Sequence, residues 1–496
     1  MQLLKITPLT FLVLTTVFIL PSLSFGASEF EKWKKEELES YTEFRDERDK
    51  AFTQYLKEQW QEFKLFQGEK PYKKPKPVKI PVVKKDPARK IVPFKGNVVK
   101  EIPLPAIPRK PKRPKKLEEI IPPLLVKKGK KLNFDFYGMS VVMNYDPKLK
   151  AKLSGKVNKD SISSYWESLS KPDYEDLLMQ LDYFKKELKL NDWGYHLFVY
   201  RVGEKIYGPS KKETTLFVWF ILSKSGYETK IGYNNNTIFL LLPTKNKLYS
   251  IPYLTLDDNR YYALSFDGRA KKLGSLYTYK GKYPGASDWM DYDIKTTPAF
   301  AKKRSSRSLD FSYGGKKFII PVEYDKAVVE FFEFYPQTNF EVYFAATTSP
   351  EAGTSLIKAL KPIVEGKTEG EAVNIILRFV QTAFKYKTDN GQFGREKYML
   401  PDETLFYPYS DCEDRSIIFA YLVKNLTGLK VVALHYPNHI ATAVKFNDEI
   451  EGDYVIYAGQ KYLVCDPTYI NADIGMAMPK FKKVNAKIIP IEPNGE

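Results

Sequence analysis

Proline and like charge divide this chain before any motif is considered. Between residues 69 and 130 the sequence holds 13 of its 33 Pro, with 20 Lys plus Arg against 5 Asp plus Glu. Proline removes backbone donors and fixes φ, and like charges repel, so this stretch should stay a disordered linker. As polyproline II, at about 3.1 Å per residue, it would reach roughly 190 Å. It also carries +15 of the chain's net +18. The basic balance therefore belongs to a spacer, and the flanking regions are close to neutral. Nucleic acid is not an expected partner; anionic lipid headgroups or envelope polymers are the counter-charges for such a linker.

Two segments precede it. Lys5, the apolar run 9–23 and the small residues around Ser24 and Gly26 have the layout of a signal peptide, cut near Gly26 and Ala27. The alternative is an uncleaved anchor, but the run holds Pro21 and is short of the roughly 20 residues a spanning helix needs. Residues 1–26 thus point to export, to a periplasm or cell envelope. Residues 28–67 lack Pro and Gly. Their aromatic pairs Phe30 and Trp33, Tyr41 and Phe44, Phe52 and Tyr55, Phe63 and Phe66 recur every eleven residues, which keeps one helical face aromatic. An amphipathic or coiled-coil helix is expected there, packing on the body, self-associating or lying on a membrane. Acid outnumbers base in it, which disfavours an anionic membrane.

After the linker the sequence turns globular, and the expected class is α+β. Residues 131–365 read as a strand-rich region, with paired strands over 132–145, a helix over 173–190 and strands at 238–243, 261–266, 317–324 and 340–346. A helix over 368–385 opens the C-terminal domain, residues 366–496. Residues 165–267 read either as a degenerate copy of that domain or as a chance likeness of two helix–Gly–strand units: an apolar helix, Gly226 and a strand match an apolar helix, Gly428 and a strand. Laid together without gaps, Lys211 falls at Cys412 and Ile238 at His439, so this copy would be catalytically dead.

The C-terminal domain holds the reactive residues. Ser410-Asp411-Cys412-Glu413-Asp414-Arg415 opens a helix capped by Asp411 or Ser410, with Ile417, Ile418, Tyr421, Leu422 and Leu426 as its inner stripe and Gly428 as its stop. Cys412 falls in the first turn, where unpaired N–H groups and the positive end of the macrodipole favour a thiolate. Its own N–H is free to serve an oxyanion. A thiolate acting on a carbonyl needs an imidazole. The chain has three His: His196, His435 and His439. His439 opens a strand after the turn at Tyr436-Pro437-Asn438, His435 competes with it, and His196 belongs to the middle region. In the last strand, alternation sets Tyr462, Val464 and Asp466 on one face and Leu463 and Cys465 on the other. Asp466 can then hold the His439 ring from a neighbouring strand. Cys465 points into the core, so the two cysteines are expected to stay free although export would permit a disulfide. Glu413, Asp414 and Arg415 should form a local ion-pair network that orients the loop. Cys412, His435 and His439 lack a fourth ligand at metal-site spacing, so neither a metal nor a cofactor is expected.

In order and setting these residues resemble the transglutaminase-like superfamily of papain-like thiol enzymes. The matching stretches are 409–416, 436–444 and 465–469, with the helix ending near Tyr386 upstream; together they cover about residues 365–480. The resemblance implies a papain-like α+β domain, a Cys412, His439 and Asp466 triad, and thiol chemistry on an amide of a protein or peptide. No Trp stands upstream where animal transglutaminases place an oxyanion donor; Gln381, and then Gln392, are the substitutes. Two function classes follow. One is a cysteine enzyme working through a thioester, with hydrolysis favoured over transfer. The other is an envelope scaffold or tether that retains the fold without the activity.

Overall fold

The computed structural model describes residues 27–71, 79–83, 94–99, 129–234, 237–264 and 274–491. The expected signal segment 1–26 and most of the Pro/Lys stretch lie outside the described residues. The chain separates into two units, Met1–Ala51 and Phe52–Glu496. In the first, residues 27–51 form the leading part of the helix Ala27–Glu58. Trp33, Tyr41 and Phe44 of the eleven-residue repeat are exposed there. Ion pairs Lys32–Glu36 and Lys35–Glu39 join successive turns.

The second unit departs from the sequence expectation in its opening residues. The helix stops at Glu58 rather than near residue 67, and Gln61–Lys64 is a strand paired antiparallel with Ser275–Thr278. Phe63 and Leu65 stand two apart, the period of a strand. Leu65 is buried in an apolar cluster with Leu241, Leu254 and Leu276. Among the described residues, the linker differs from an unfolded spacer inside its length as well as at its ends, where Glu69 pairs with Lys247 and Arg260 and Lys130 opens a strand. The Val83 N–H donates to the Ile470 carbonyl at 2.9 Å and the Ile470 N–H to the Pro81 carbonyl at 3.2 Å. Farther on, Val99 donates to the Lys367 carbonyl and Glu369 to that of Asn97. Asn97 also donates twice to the Asp448 carboxylate. The short apolar interruptions of the Pro/Lys text are what dock.

The middle region carries more helix than its strand-rich reading: Lys159–Ser170, Glu175–Glu187, Asp192–Tyr207 and Lys211–Lys224 follow one another. Asn158 and Ser161 form a capping box, and Asn191 accepts the Gly194 N–H. Residues 340–346, expected as a strand, instead form the helix Phe340–Ala345. Phe340 and Phe344, four apart, meet edge to face with ring centroids 6.5 Å from each other, the helical neighbour spacing. The expected strand pair over 132–145 is present as Lys130–Phe136 with Met139–Tyr145, and the expected strand at 317–324 is Lys316–Asp325, paired with Arg304–Tyr313, which the sequence reading did not single out.

Two larger sheets organise the rest. The first runs Gln61–Lys64, Ser275–Thr278, Lys230–Asn234, Thr237–Pro243, Asn259–Leu264, Tyr253–Leu256. The second runs Tyr454–Tyr457, Gln460–Cys465, His439–Lys445, Lys430–Tyr436, Lys487–Pro490. They share a connection pattern. In each, a helix ends at a glycine with positive φ (Gly226, 93°; Gly428, 70°), the next two strands pair antiparallel, and the following hairpin adds its second arm first. Both helices start where the gapless overlay has them, Lys211 and Cys412. The registers, however, pair Thr237 with Asn234 as they pair His439 with Tyr436, which sets Thr237 rather than Ile238 in the place of His439.

Candidate active site

The helix Cys412–Thr427 packs against the helix Glu369–Ala383 and the central strand His439–Lys445, and this packing brings the reactive residues together. Its start is fixed by carboxylates. Asp414 accepts the N–H groups of Asp411 (3.0 Å) and Met399 (2.9 Å). Asp389 accepts that of Lys397 (3.0 Å), and Asp411 that of Asp389 (3.3 Å). Ligand oxygens of Asp389, Asp411 and Asp414 lie within 4.8 Å of one another, and these N–H donors account for their gathering: they brace the loop before the cysteine. Arg415, buried and pushed down to about 10 by that burial, donates to Ser410 Oγ and to the carbonyls of Phe384 and Gln381. It ties the helix start to the end of Glu369–Ala383.

His439 and Asp466 meet as strand alternation suggests. The register pairs Thr442 with Cys465, and continued it sets Asp466 opposite Ala441, two residues from His439 on the same face. His439 Nε2 and Asp466 Oδ2 are 2.8 Å apart. Asp466 Oδ1 accepts the N–H groups of Thr468 (2.9 Å) and Tyr469 (3.2 Å), so the carboxylate cannot swing away. Burial alone would lower the imidazole pKa. The Asp466 charge and hydrogen bond, and a hydrogen bond to Cys412, outweigh it and hold the ring up at about 10. With Nε2 given to Asp466, Nδ1 is left for the sulfur. The Cys412 thiol also donates to Glu413 Oε2 at 3.1 Å. Ser416 Oγ bonds the carbonyls of Cys412 and Ile440, linking helix to strand. Cys412, His439 and Asp466 are 0%, 1% and 2% exposed, so no substrate reaches the sulfur unless a wall moves.

The other candidates lie elsewhere. His435 is half-buried against the Phe340 ring, and burial lowers its pKa. His196 sits in the middle region beside Trp193, lowered to about 3 by burial. Cys465 is buried, its thiol pKa pushed up by burial, and both cysteines are free. Gln392 makes no hydrogen bond to the triad among the described residues.

Gln381 does not fit the oxyanion role. Its two amide hydrogens go to the carbonyls of Asp466 (3.1 Å) and Ala472 (3.0 Å), and its Oε1 accepts the Asn471 N–H (3.1 Å). It is a buried latch on the loop that carries Asp466. Gln381→Leu orphans these three main-chain groups, at about 1–3 kcal/mol each. We expect the urea midpoint to fall by the equivalent of at least about 2 kcal/mol; an unchanged midpoint contradicts the latch.

Sequence reasoning missed three contacts. Glu413, assigned to an ion-pair network, touches the sulfur. Ser416 joins the helix to the His439 strand. Phe481 stacks on the imidazole, with centroids 5.0 Å apart and planes 2° from parallel. The one available signal was a single aromatic in the run Pro479-Lys480-Phe481-Lys482-Lys483. The chain matches no protein-family profile, no curated protein and no solved structure. What fold and site define is a mixed α+β protein.

Proposed function

We propose that this chain is an exported, transglutaminase-like cysteine enzyme that cleaves an amide or peptide bond through a thioester on Cys412, with hydrolysis rather than transfer completing the cycle. One observation carries the reading: a hydrogen-bonded line from Asp466 through His439 to Cys412, with the sulfur on the first turn of a helix. In the reaction Sγ attacks the carbonyl carbon and the oxyanion receives the Cys412 N–H, which has no partner within its own helix. The His439 imidazolium gives its proton to the leaving amine, and a thioester remains. Water then attacks, its proton passes to His439, and the C–S bond breaks to return the thiolate. Asp466 holds ring and tautomer throughout. This chemistry uses no cofactor.

The papain-like domain, a periplasmic or envelope location, contact of the basic linker with anionic envelope components and self-association through the N-terminal helix belong to the same proposal. Mass spectrometry of the mature protein with a peptide-amide library tests it. An acyl adduct on Cys412, absent from Cys412→Ala, is the expected result. Failure to find one with any amide would sink the reading.

A second reading, a catalytically silent envelope scaffold, is favoured by the near-complete burial of the triad. It expects a Cys412→Ala strain to keep full cellular function, whereas the first expects that strain to fail.

A further inference from the structure

The walls over the triad are unequal. The loop before Cys412 is braced by Asp389, Asp411 and Asp414, and the loop after Asp466 by Gln381. The covering over His439 is a short surface turn. Residues 479–485 are exposed with one exception, Phe481, which is 8% exposed. The turn's main-chain bonds are its own: the Phe481 N–H donates to the Met478 carbonyl and the Val484 N–H to that of Phe481. It is tied outward by the ion pair of Lys482 with Asp453, whose side chains are 52% and 31% exposed. Such partly exposed pairs contribute little. One ring therefore anchors seven residues, and the turn can lift between Met478 and Ala486 without disturbing the sheet beneath.

The ring covers a shallow slot whose floor is two rings side by side, Tyr436 and His439, with centroids 6.4 Å apart. It stacks on Tyr436 at 4.6 Å and 20°, and on His439 at 5.0 Å and 2°. Half of this slot is a face of the imidazole that serves Cys412. This floor is two ring faces, one belonging to a group that carries positive charge across the neutral range. Aromatic rings stack on such faces and attract cations.

We propose, resting on the thiol-enzyme reading, that Phe481 is an intramolecular plug in the acyl-donor subsite, and that the donor carries an aromatic side chain beside the attacked amide which takes the place of this ring. The residue would then keep the site closed until a substrate of the right class competes for the slot, and it would report that class by its own chemistry.

The two free cysteines make the test internally controlled, since Cys465 is also fully buried but lies under the sheet rather than the turn. The full chain and Phe481→Ala are treated with iodoacetamide, and each cysteine is followed by peptide mass. We expect Cys412 of Phe481→Ala to be alkylated about tenfold faster or more than in the parent, roughly what one aromatic pair contributes, while Cys465 stays unmodified. Phenylalanyl and alanyl chloromethyl ketones are then compared on the variant; the C–S bond forms as chloride leaves. The phenylalanyl reagent should label Cys412 about tenfold faster. Unaccelerated labelling, simultaneous labelling of Cys412 and Cys465, or equal rates for the two ketones overturns the plug. If Phe481→Ala does not fold, Phe481→Leu, which keeps an apolar side chain under the turn and removes the ring stack, takes its place with a smaller acceleration expected in the same direction, and an unchanged rate there is equally fatal. Labelling needs only access to the sulfur. If it behaves as expected while no acyl-enzyme ever forms, the proposed function falls and the aromatic slot stands beside an inert thiol.

Discussion

Asn in place of Asp466 is expected to lower turnover by about 10³–10⁴, the scale at which a triad acid matters, while leaving the domain folded. The asymmetry of the carboxylate explains why. Oδ1 is an acceptor for the Thr468 and Tyr469 N–H groups, and an amide oxygen serves there equally well. The amide nitrogen must then face His439 Nε2. As a donor it forces Nε2 to accept, which moves the ring proton to Nδ1. On the proposed mechanism that nitrogen serves the sulfur, pairing with the thiolate and passing the proton to the leaving amine. The variant would thus keep every main-chain contact and lose the correct tautomer. Turnover within about threefold of the parent would show that Asp466 does not orient the ring.

The same substitution has a signature in stability. His439 is held at about 10 in the folded chain, chiefly against burial and by Asp466, and an unfolded imidazole titrates near 6.5. Between these values the native state binds the extra proton, so stability falls as pH rises. The pair's contribution is complete below about pH 6.5 and fades toward pH 10. Urea midpoints at pH 6, 8 and 10 should decline more steeply for the parent than for Asp466→Asn; parallel lines contradict the assignment. Lysines and tyrosines common to both proteins cancel in this difference.

How far this site could be read from the sequence depended on the range of each interaction. The Cys412 helix was legible because its signals are local: a capping acid, an apolar stripe and Gly428 at the end. The meeting of His439 and Asp466 followed from strand alternation, which is also local, together with one correct guess that the two strands are neighbours. Gln381 shows the limit. Its amide was free for an oxyanion only as long as the loop 466–472 was not known to fold back onto it. Phe481 was invisible for the same reason, since a lone aromatic among lysines in a surface turn signals nothing until its partner is known. The helix ending at Glu58 and the helix Phe340–Ala345 were decided by burial against residues far along the chain, which overrides local propensity. The linker is the clearest case. Composition gives the reason Pro and Lys are not expected to build a core, yet it could not show that Pro81–Val83 and Asn97–Val99 would find carbonyl and N–H partners more than 250 residues away.

The support for the Cys412 loop reaches one layer further, to a buried ion pair with a testable energy. Lys397 Nζ and Glu403 Oε1 are 2.6 Å apart with side chains 2% and 1% exposed. Lys397 also donates to the Phe332 carbonyl, and Glu403 accepts the Leu400 N–H. Burial raises the Glu403 pKa while Lys397 pulls it down. Lys397→Met removes the opposing charge and strands a carboxylate in the interior, for which about 3–5 kcal/mol of destabilisation is expected. Glu403→Leu added to it should recover most of that loss, because two apolar side chains pack where two ions had to be desolvated. The unpaired Leu400 N–H leaves a residue of about 1 kcal/mol. Without Lys397 the folded-state pKa of Glu403 rises further above its unfolded value. A group raised in this way contributes fully below the unfolded pKa and loses its contribution as pH increases. The single variant should therefore be closer to the parent at pH 5 than at pH 8, and the double variant should show no such dependence. Equal deficits at both pH values would mean that Lys397 acts here as packing rather than as charge.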